Sequence, residues 1–290
     1  MVLPGLPPAP RPRSGLRRVF ESMGTTVSLA FAETAPAGAV LSVEAAFRAL
    51  DRRFSLYRAD SEASAVARGA LAVEDASVKF RDALALALDW QAETDGAFTP
   101  FRPDGSIDLA GVIKAQAILE AGEALRMHGA HDWCLNAGGD VLVSGAQAGG
   151  LPWVVGIVDP KDRQALLSQF TCSARHPALA TSGVAERGDH VWRVDRQLAH
   201  DPASLRGPHA GAPRRPDPGT GADPEGDNEA EELCQVTVAA PDIMTADVLA
   251  TAILAGGRAT LQTALSRWNV EVLACTVGGH FLATEAFRDG

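Results

Sequence analysis

The spacing of hydrophobic residues along the chain predicts a mixture of helices and strands. Val40, Leu41, Val43, Phe47 and Leu50 approximate one apolar stripe, which predicts a helix over residues 37–53. The same period indicates further helices over 79–93, 113–128 and 244–257. Shorter apolar runs predict strands over 19–32 (with a turn at Gly24), 133–144, 153–158, 171–182, 191–198, 233–239, 270–277 and 280–284. Strands and helices mixed in this way indicate an α+β or α/β core.

Two segments do not follow these patterns. Residues 1–17 are rich in proline, and we expect a disordered leader there, followed by one domain over residues 18–290. Residues 207–232 contain five prolines, five glycines and seven acidic residues. Such a segment buries too little apolar surface to offset the entropy of ordering, so we expect a flexible insertion. An acidic arm that docks a partner is the alternative.

Composition narrows the function classes. The chain has 290 residues, 46% of them hydrophobic, which is enough for one large domain or two close lobes. A net charge of −10 argues against a general nucleic-acid binder. No signal-peptide core and no run of ~20 apolar residues is present, so we expect a cytoplasmic protein with no membrane span, although export by another route stays open. The four cysteines are far apart in sequence and predict buried free thiols rather than a zinc site.

The most informative segment is the apolar helix predicted over residues 244–257. Asp247 and Thr251 are four residues apart and therefore share one helix face. A carboxylate and a hydroxyl are hard oxygen donors suited to Mg²⁺. The alternative is structural: the Asp caps the helix N-terminus, and the Thr bonds to its own backbone.

Five further motifs are weak singly but occur in a characteristic order. A glycine pair before an Asp usually marks only a hairpin turn, and a helix lysine is usually solvated. Neither a Walker-type loop nor a dinucleotide glycine fingerprint is present. The five motifs, which precede Ala-Asp-x-Leu-Ala-Thr at 246–251, lie at 23–25 (Met-Gly-Thr), 54–57 (Phe-Ser-Leu-Tyr), 61–62 (Ser-Glu), 108–114 (Asp-Leu-Ala-Gly-Val-Ile-Lys) and 136–140 (Asn-Ala-Gly-Gly-Asp).

In this order the motifs resemble the FAD:protein FMN transferase family, also called ApbE-type flavin transferases, over about residues 19–287. The resemblance implies an α+β fold of ApbE-like, T-fold-related type, with two lobes of mixed sheets and flanking helices. It also implies an Mg²⁺-dependent enzyme with FAD as substrate. Such an enzyme moves FMN onto a Thr or Ser hydroxyl of an acceptor flavoprotein and releases AMP.

The resemblance also implies roles for individual residues. Mg²⁺ is expected to bind the side chains of Asp247 and Thr251 and the backbone carbonyls of Ala250 and Gly111. Lys114 is expected to meet the phosphates, and Asp108 to accept a hydrogen bond from the nucleotide. The flavin nucleotide pocket is expected to include Met23, Tyr57, Ala97, Phe98 and Thr99.

Two histidines are candidates for the general base that takes the acceptor's proton. The resemblance implies His200 at the start of a His-Asp-Pro segment, which is shorter here than in the family, and His190 is the second candidate. Phe98-Thr99-Pro100 also departs from the family's Phe-Asp-Pro by losing a carboxylate. Three alternatives to FMN transfer stay open: FAD hydrolysis to FMN and AMP, FAD binding without turnover, and a plain metal-binding scaffold.

Overall fold

The computed structural model describes residues 16–184 and 231–288, which contain ten strands. These are β1 (Arg17–Ser22), β2 (Thr25–Phe31), β3 (Trp133–Ala137), β4 (Asp140–Ser144), β5 (Val154–Val158), β6 (Leu166–Thr171), β7 (Ala178–Gly183), β8 (Leu233–Ala240), β9 (Glu271–Thr276) and β10 (Phe281–Ala283). Eight of them form one sheet in the order β1-β2-β3-β4-β7-β8-β9-β10, while β5 and β6 form a separate hairpin. Every strand pair of the described residues is antiparallel.

The α-helices of the described residues cover mainly one face of this sheet. They are α1 (Ala39–Phe54), α2 (Glu62–Ala67), α3 (Val78–Glu93), α4 (Ala110–Met127), α5 (Ile243–Arg267) and α6 (Glu285–Arg288). Helix α5 packs on β7 and β8, and α4 packs between α1 and α5. The α+β prediction is therefore confirmed.

Successive side chains along the strands point to opposite faces of the sheet and form two hydrophobic cores, one on each face. On β8, Val236 and Val238 face the helices, whereas Ala239 joins the second core beneath the β5–β6 hairpin and α6. The same alternation places Leu142 in the first core and Val141 and Val143 in the second. Because both faces of β8 are covered, all eight of its residues are buried.

Most predicted elements are confirmed, with differences that have physical causes. The predicted strand 133–144 is divided by a turn at Gly138 and Gly139, whose φ angles are positive. The predicted strand 171–182 is wrong over 172–177, where a turn closed by the Ser173 N–H and the His176 carbonyl precedes Pro177. Helix α2 was not predicted, because six residues are too few to show a helical period.

Helix α5 is longer than predicted and is interrupted. It begins after Asp242, whose carboxylate accepts the Thr245 N–H at 2.8 Å, so Asp242 and not Asp247 caps this helix. Gly257 breaks the helical geometry with φ 67° at the predicted end, but a further helical segment continues to Arg267. This helix is long and apolar enough to cross a membrane, yet it packs on β7, β8 and α4 as a core helix.

Parts of the predicted domain organisation lie outside the described residues. This holds for residues 1–15 of the expected leader, for the predicted strand 191–198, and for residues 207–230 of the expected insertion. Arg17 already belongs to β1, paired with Ala30. At the other boundary, Glu231 forms an ion pair with Arg258 at 2.9 Å, and the Glu232 carbonyl accepts the Val277 N–H.

The prediction of free thiols is confirmed, since all four cysteines are unpaired. Burial raises the pKa of the Cys134, Cys172 and Cys275 thiols to about 12, and it also raises the pKa of Cys234. A thiol with so high a pKa is almost entirely protonated at neutral pH and is a poor nucleophile.

We therefore expect the folded protein to react slowly with a disulfide reagent such as DTNB at about pH 8, where thiolate is scarce. Unfolding in guanidinium should release all four thiols to rapid reaction. Absorbance of the released thiolate measures both rates. A rapid reaction of even one thiol in the folded protein would contradict the burial.

Candidate functional site

Two hairpin turns lie side by side at one end of the sheet. Met23 and Gly24 form the β1–β2 turn with φ angles of 54° and 70°. Gly138 and Gly139 form the β3–β4 turn, and the Gly139 N–H donates to the Asn136 side-chain oxygen at 3.1 Å. A Cβ at Gly138 would lie 2.4 Å from Thr25 Oγ1, so only glycine lets the two turns approach this closely. This close approach fixes where β4, and with it Asp140, begins.

Lys114 on α4 lies between two buried carboxylates. Its Nζ forms a direct ion pair with Asp140 Oδ2 at the start of β4, and it lies 3.6 Å from Asp247 Oδ1 on α5. The side chains of Asp140 and Asp247 are 0% and 4% exposed. Among the described residues, three charges therefore meet in a site from which most water is excluded, and two of them are negative. Buried charge of this kind requires compensation, and an additional cation would supply it.

Two hydroxyl pairs involve consecutive residues of β7, whose side chains point to opposite faces of the sheet, and the pair formed by Ser182 lies on the face covered by α5. Thr251 Oγ1 lies 3.0 Å from Ser182 Oγ, which joins α5 to β7. One residue earlier, Thr181 Oγ1 lies 2.9 Å from Thr237 Oγ1 on the neighbouring strand, opposite it in the β7–β8 register. The Thr181 N–H donates to Asp140 Oδ1 at 3.2 Å. Strand β7 thus connects the hydroxyls to the carboxylate at the start of β4.

The donor set fits a hard divalent cation that is completed by phosphate or water. Asp247 and Thr251 share one face of α5, as predicted, and Ser182 adds a hydroxyl beside Thr251. No group of three His, Cys, Asp or Glu side chains suited to a metal occurs within residues 16–184 and 231–288. Mg²⁺ needs no such cluster, because it is commonly held by one or two carboxylates together with substrate phosphates. The assignment of Gly111 and Ala250 carbonyls as further ligands stays a prediction.

The predicted pocket loop at Ala97, Phe98 and Thr99 contacts both helices of the site. A Cβ added to Gly111 at the start of α4 would lie 2.7 Å from the Phe98 ring, and one added to Gly256 would lie 3.1 Å from Ala97 Cβ. The Thr99 hydroxyl lies 3.2 Å from Gln91 Nε2 and accepts the Phe101 N–H. The structure therefore brings this loop together with Gly111, although the Thr99 hydroxyl is used locally.

Asp108 is held by neighbouring residues. Its Oδ1 accepts the Ala110 N–H at 3.0 Å, which explains why α4 begins three residues before the predicted start. Its Oδ2 accepts hydrogen bonds from Arg102 Nε and Nη2 at 2.9 and 2.6 Å. A nucleotide that binds Asp108 would meet a carboxylate that already has an arginine partner. The predicted hydrogen bond to the nucleotide is not tested by this arrangement.

Tyr57 and Met23 are placed less centrally. Tyr57 is 84% exposed in the loop between α1 and α2. Ser61 closes this loop, because its Oγ donates to the Ser55 carbonyl at 2.6 Å and also caps α2. Met23 is half-buried in the β1–β2 turn against the first core. A role for either residue in the flavin pocket stays a prediction.

Both candidate bases, His190 and His200, lie outside the described residues. The described strand β7 ends at Gly183, just before that segment, and its last residues adjoin Thr251 through Ser182. The chain therefore enters the undescribed segment from the site itself.

Reasoning from sequence missed two polar residues of the site. Asp140 was interpreted as part of a hairpin motif, because an Asp after two glycines is ordinary turn chemistry. Ser182 was not among the predicted site residues. The signal that could have found Asp140 is the apolar sequence Val-Leu-Val that follows it, since a strand buried from its first residue also buries the Asp.

We expect Gly111→Ala to destabilise the protein by about 1–2 kcal/mol, because overpacking against the Phe98 ring outweighs the gain in helix propensity. Glu123→Ala, on the exposed face of the same helix, is the matched control and should change stability by less than about 0.5 kcal/mol. Urea unfolding measures both. Equal stability of the two variants would show that Phe98 does not confine Gly111.

The comparisons with known proteins agree with this architecture. Among curated protein sequences, none matches the chain. The crystal structure of the ApbE protein from Thermotoga maritima superposes with a TM-score of 0.70 at 18% identity, covering 95% of this chain and 98% of that chain. The flavin transferase ApbE from Vibrio cholerae gives 0.66 at 18% identity, covering 95% and 99%. The flavinyl transferase ApbE from Pseudomonas stutzeri in its apo form gives 0.68 at 18% identity, covering 97% and 98%.

At these identities the superpositions show the fold. The model of the ApbE family matches residues 23–102 and 101–209, which together make up more than half of the chain and include most of the motifs recognised in the sequence. The resemblance seen in the sequence is thereby confirmed, and the chain belongs to the ApbE family.

Proposed function

We propose that this protein is a flavin transferase that moves FMN from FAD onto a Thr or Ser hydroxyl of an acceptor flavoprotein. The observation that carries the proposal is the grouping of partly buried Lys114 and Thr251 with buried Asp247, in which an ammonium, a hydroxyl and a carboxylate lie on adjoining helices. Family membership and the flavin transferases among the similar structures support it.

The site's residues suit the cleavage of a pyrophosphate. The acceptor hydroxyl oxygen attacks the phosphorus on the FMN side, the bond from that phosphorus to the bridging oxygen breaks, and AMP leaves with that oxygen. Asp247 and Thr251, with the carbonyls of Gly111 and Ala250, would hold Mg²⁺, which supplies charge compensation for the phosphates and polarises the bridge. Lys114 would place an ammonium beside the same phosphates.

Burial strengthens the electrostatic interaction of Asp247 with a cation. Asp247 is buried, so its interactions with cations are screened less by water than those of a surface carboxylate. Thr251 is positioned by Ser182, whose Oγ lies 3.0 Å from Thr251 Oγ1. A hydroxyl oxygen has two lone pairs, so Thr251 Oγ1 keeps at least one for a cation whichever of the two hydroxyls donates.

The nucleotide itself is expected to lie along the loop 97–99 and the start of α4, with Met23 and Tyr57 at its margins. We also propose that the protein acts in the cytoplasm. The acceptor is a flavoprotein that presents a Thr or Ser in an accessible segment, since the hydroxyl must reach a site enclosed by α4, α5 and β7.

The decisive experiment incubates the protein with FAD, Mg²⁺ and candidate acceptor flavoproteins. We expect AMP release together with flavin fluorescence that stays with the acceptor in a denaturing gel. AMP and free FMN without labelled acceptor would instead show FAD hydrolysis. Bound FAD without any AMP would show a binding protein that does not catalyse turnover.

In the same assay, Asp247→Ala should abolish Mg²⁺-dependent AMP release, because the ion loses its only charged side-chain ligand of the proposed set. Thr251→Ala should be milder, since a neutral hydroxyl contributes less. Asp89→Ala, an exposed carboxylate on α3, is the matched control and should keep full activity. An Asp247→Ala protein that is folded and fully active at limiting Mg²⁺ would refute the metal assignment.

The general base is tested by replacing each candidate histidine with Asn and following AMP release on either side of neutral pH. A positioned base typically contributes ~10²–10⁴-fold, so we expect a loss of this size in His200→Asn and little change in His190→Asn. Loss confined to His190→Asn would transfer the role to that residue. Two active variants would rule out a histidine base.

A further inference from the structure

Asp140 is the most completely buried charged group among the described residues of the site, and its two oxygens have different partners. Oδ1 accepts the Thr181 backbone N–H at 3.2 Å, and Oδ2 pairs with the Lys114 ammonium. The side chain is 0% exposed and therefore lies away from bulk solvent. Asp140 is thus bound to the sheet on one side and to α4 on the other.

The sheet holds this carboxylate in place because of how β4 meets β7. The register pairs Val141 with Leu179 and Leu142 with Ala178, and it stops there. The next N–H along β7 that points towards β4 belongs to Thr181, and the Asp140 side chain accepts it in place of a backbone carbonyl. The carboxylate is therefore positioned by the backbone of two strands rather than by a mobile neighbour.

Lys114 is closer to Asp140 than to Asp247, and this difference affects how strongly a divalent cation can bind Asp247. Its Nζ is in direct contact with Asp140 Oδ2 but lies 3.6 Å from Asp247 Oδ1. An ammonium and a divalent ion carry the same sign of charge and therefore compete for one carboxylate in a poorly solvated site. If Lys114 were released from Asp140, it could approach Asp247 and oppose the ion there.

We propose that Asp140 is a positioning residue that holds the Lys114 ammonium off Asp247, so that the Asp247 carboxylate binds the divalent cation. The same contact fixes the ammonium at the point where it would face the phosphates. This inference rests on the proposed function, since the cation is the one that FMN transfer requires. Asp140 acts through Lys114 and is not itself a ligand of the ion.

The test measures Mn²⁺ binding by electron paramagnetic resonance in the full-length protein, without FAD. We expect Asp140→Asn to weaken binding about 10–100-fold, the usual effect of losing a partner that orients a metal site. Asp132→Asn is the matched control, because it makes the same change at the opposite end of the β3–β4 hairpin, where the carboxylate accepts the Ala146 N–H. It should bind Mn²⁺ as the unchanged protein does.

A double-mutant comparison separates positioning from the simple loss of a negative charge. In Lys114→Met, no ammonium competes for Asp247, so adding Asp140→Asn should alter Mn²⁺ affinity by less than about threefold, because the coupling between contacting residues has been removed. The same fold loss in both backgrounds would mean that Asp140 contributes only its charge, and the inference would be wrong.

Asp140→Glu gives a second and independent test, which also covers the case of an unfolded Asp140→Asn variant. It keeps the charge but lengthens the side chain by one methylene, so the hydrogen bond to Thr181 and the position of Lys114 cannot both persist. We expect weaker Mn²⁺ binding at an unchanged circular dichroism spectrum. Unchanged affinity would overturn the positioning role.

The outcomes also distinguish this inference from the proposed function. A protein that transfers FMN and binds Mn²⁺ equally well with and without Asp140 retains the function and refutes the inference. A protein that binds no Mn²⁺ at all refutes both the metal site and the inference built on it.

Discussion

The ion pair between Lys114 and Asp140 is the contact on which the candidate site depends. It joins α4 to the first residue of β4, and the same ammonium faces Asp247 on α5. Removing one member of a buried ion pair typically costs about 3–5 kcal/mol, because the remaining charge is left without compensation. The arrangement of sheet and helices in this region is thus determined by electrostatics as well as by apolar packing.

Two glycines of the site allow close backbone approaches that this arrangement requires. Gly138 lets the β3–β4 turn approach Thr25, and Gly111 lets α4 approach the Phe98 ring, both at distances that a Cβ would prevent. Close backbone approach at these two points sets the position of Asp140 on one side and of the Ala97–Thr99 loop on the other. The motifs Asn-Ala-Gly-Gly-Asp and Asp-Leu-Ala-Gly-Val-Ile-Lys therefore encode geometry as well as chemistry.

The sequence predicted well what depends on local pattern. The helix with Asp247 and Thr251 on one face, the β9–β10 hairpin and the free cysteines follow from periodicity and spacing, and the structure confirms them. It predicted poorly what depends on distant partners. The burial of Asp140 arises from Lys114 and Thr181, which are 26 and 41 residues away, and no local pattern contains them. Similarly, Asp108 meets Arg102 through a loop whose path the sequence does not specify.

The short junction between β4 and β7 has a consequence for the dynamics of the whole sheet. Two residue pairs, together with the hydrogen bond from the Val143 N–H to the Pro177 carbonyl, join the half made of β1–β4 to the half made of β7–β10, whereas β7 and β8 share six residue pairs. Local opening is easier where few backbone hydrogen bonds join two parts of a structure, and the β4–β7 junction has fewer than the β7–β8 pair. The carboxylate of Asp140 extends this junction by one bond, and the helices above it, α4 and α5, carry Lys114 and Asp247. A nucleotide bound beside α4 and α5 would therefore stabilise the β4–β7 junction. Amide hydrogen exchange in β4 and β7 would then report whether the site is occupied.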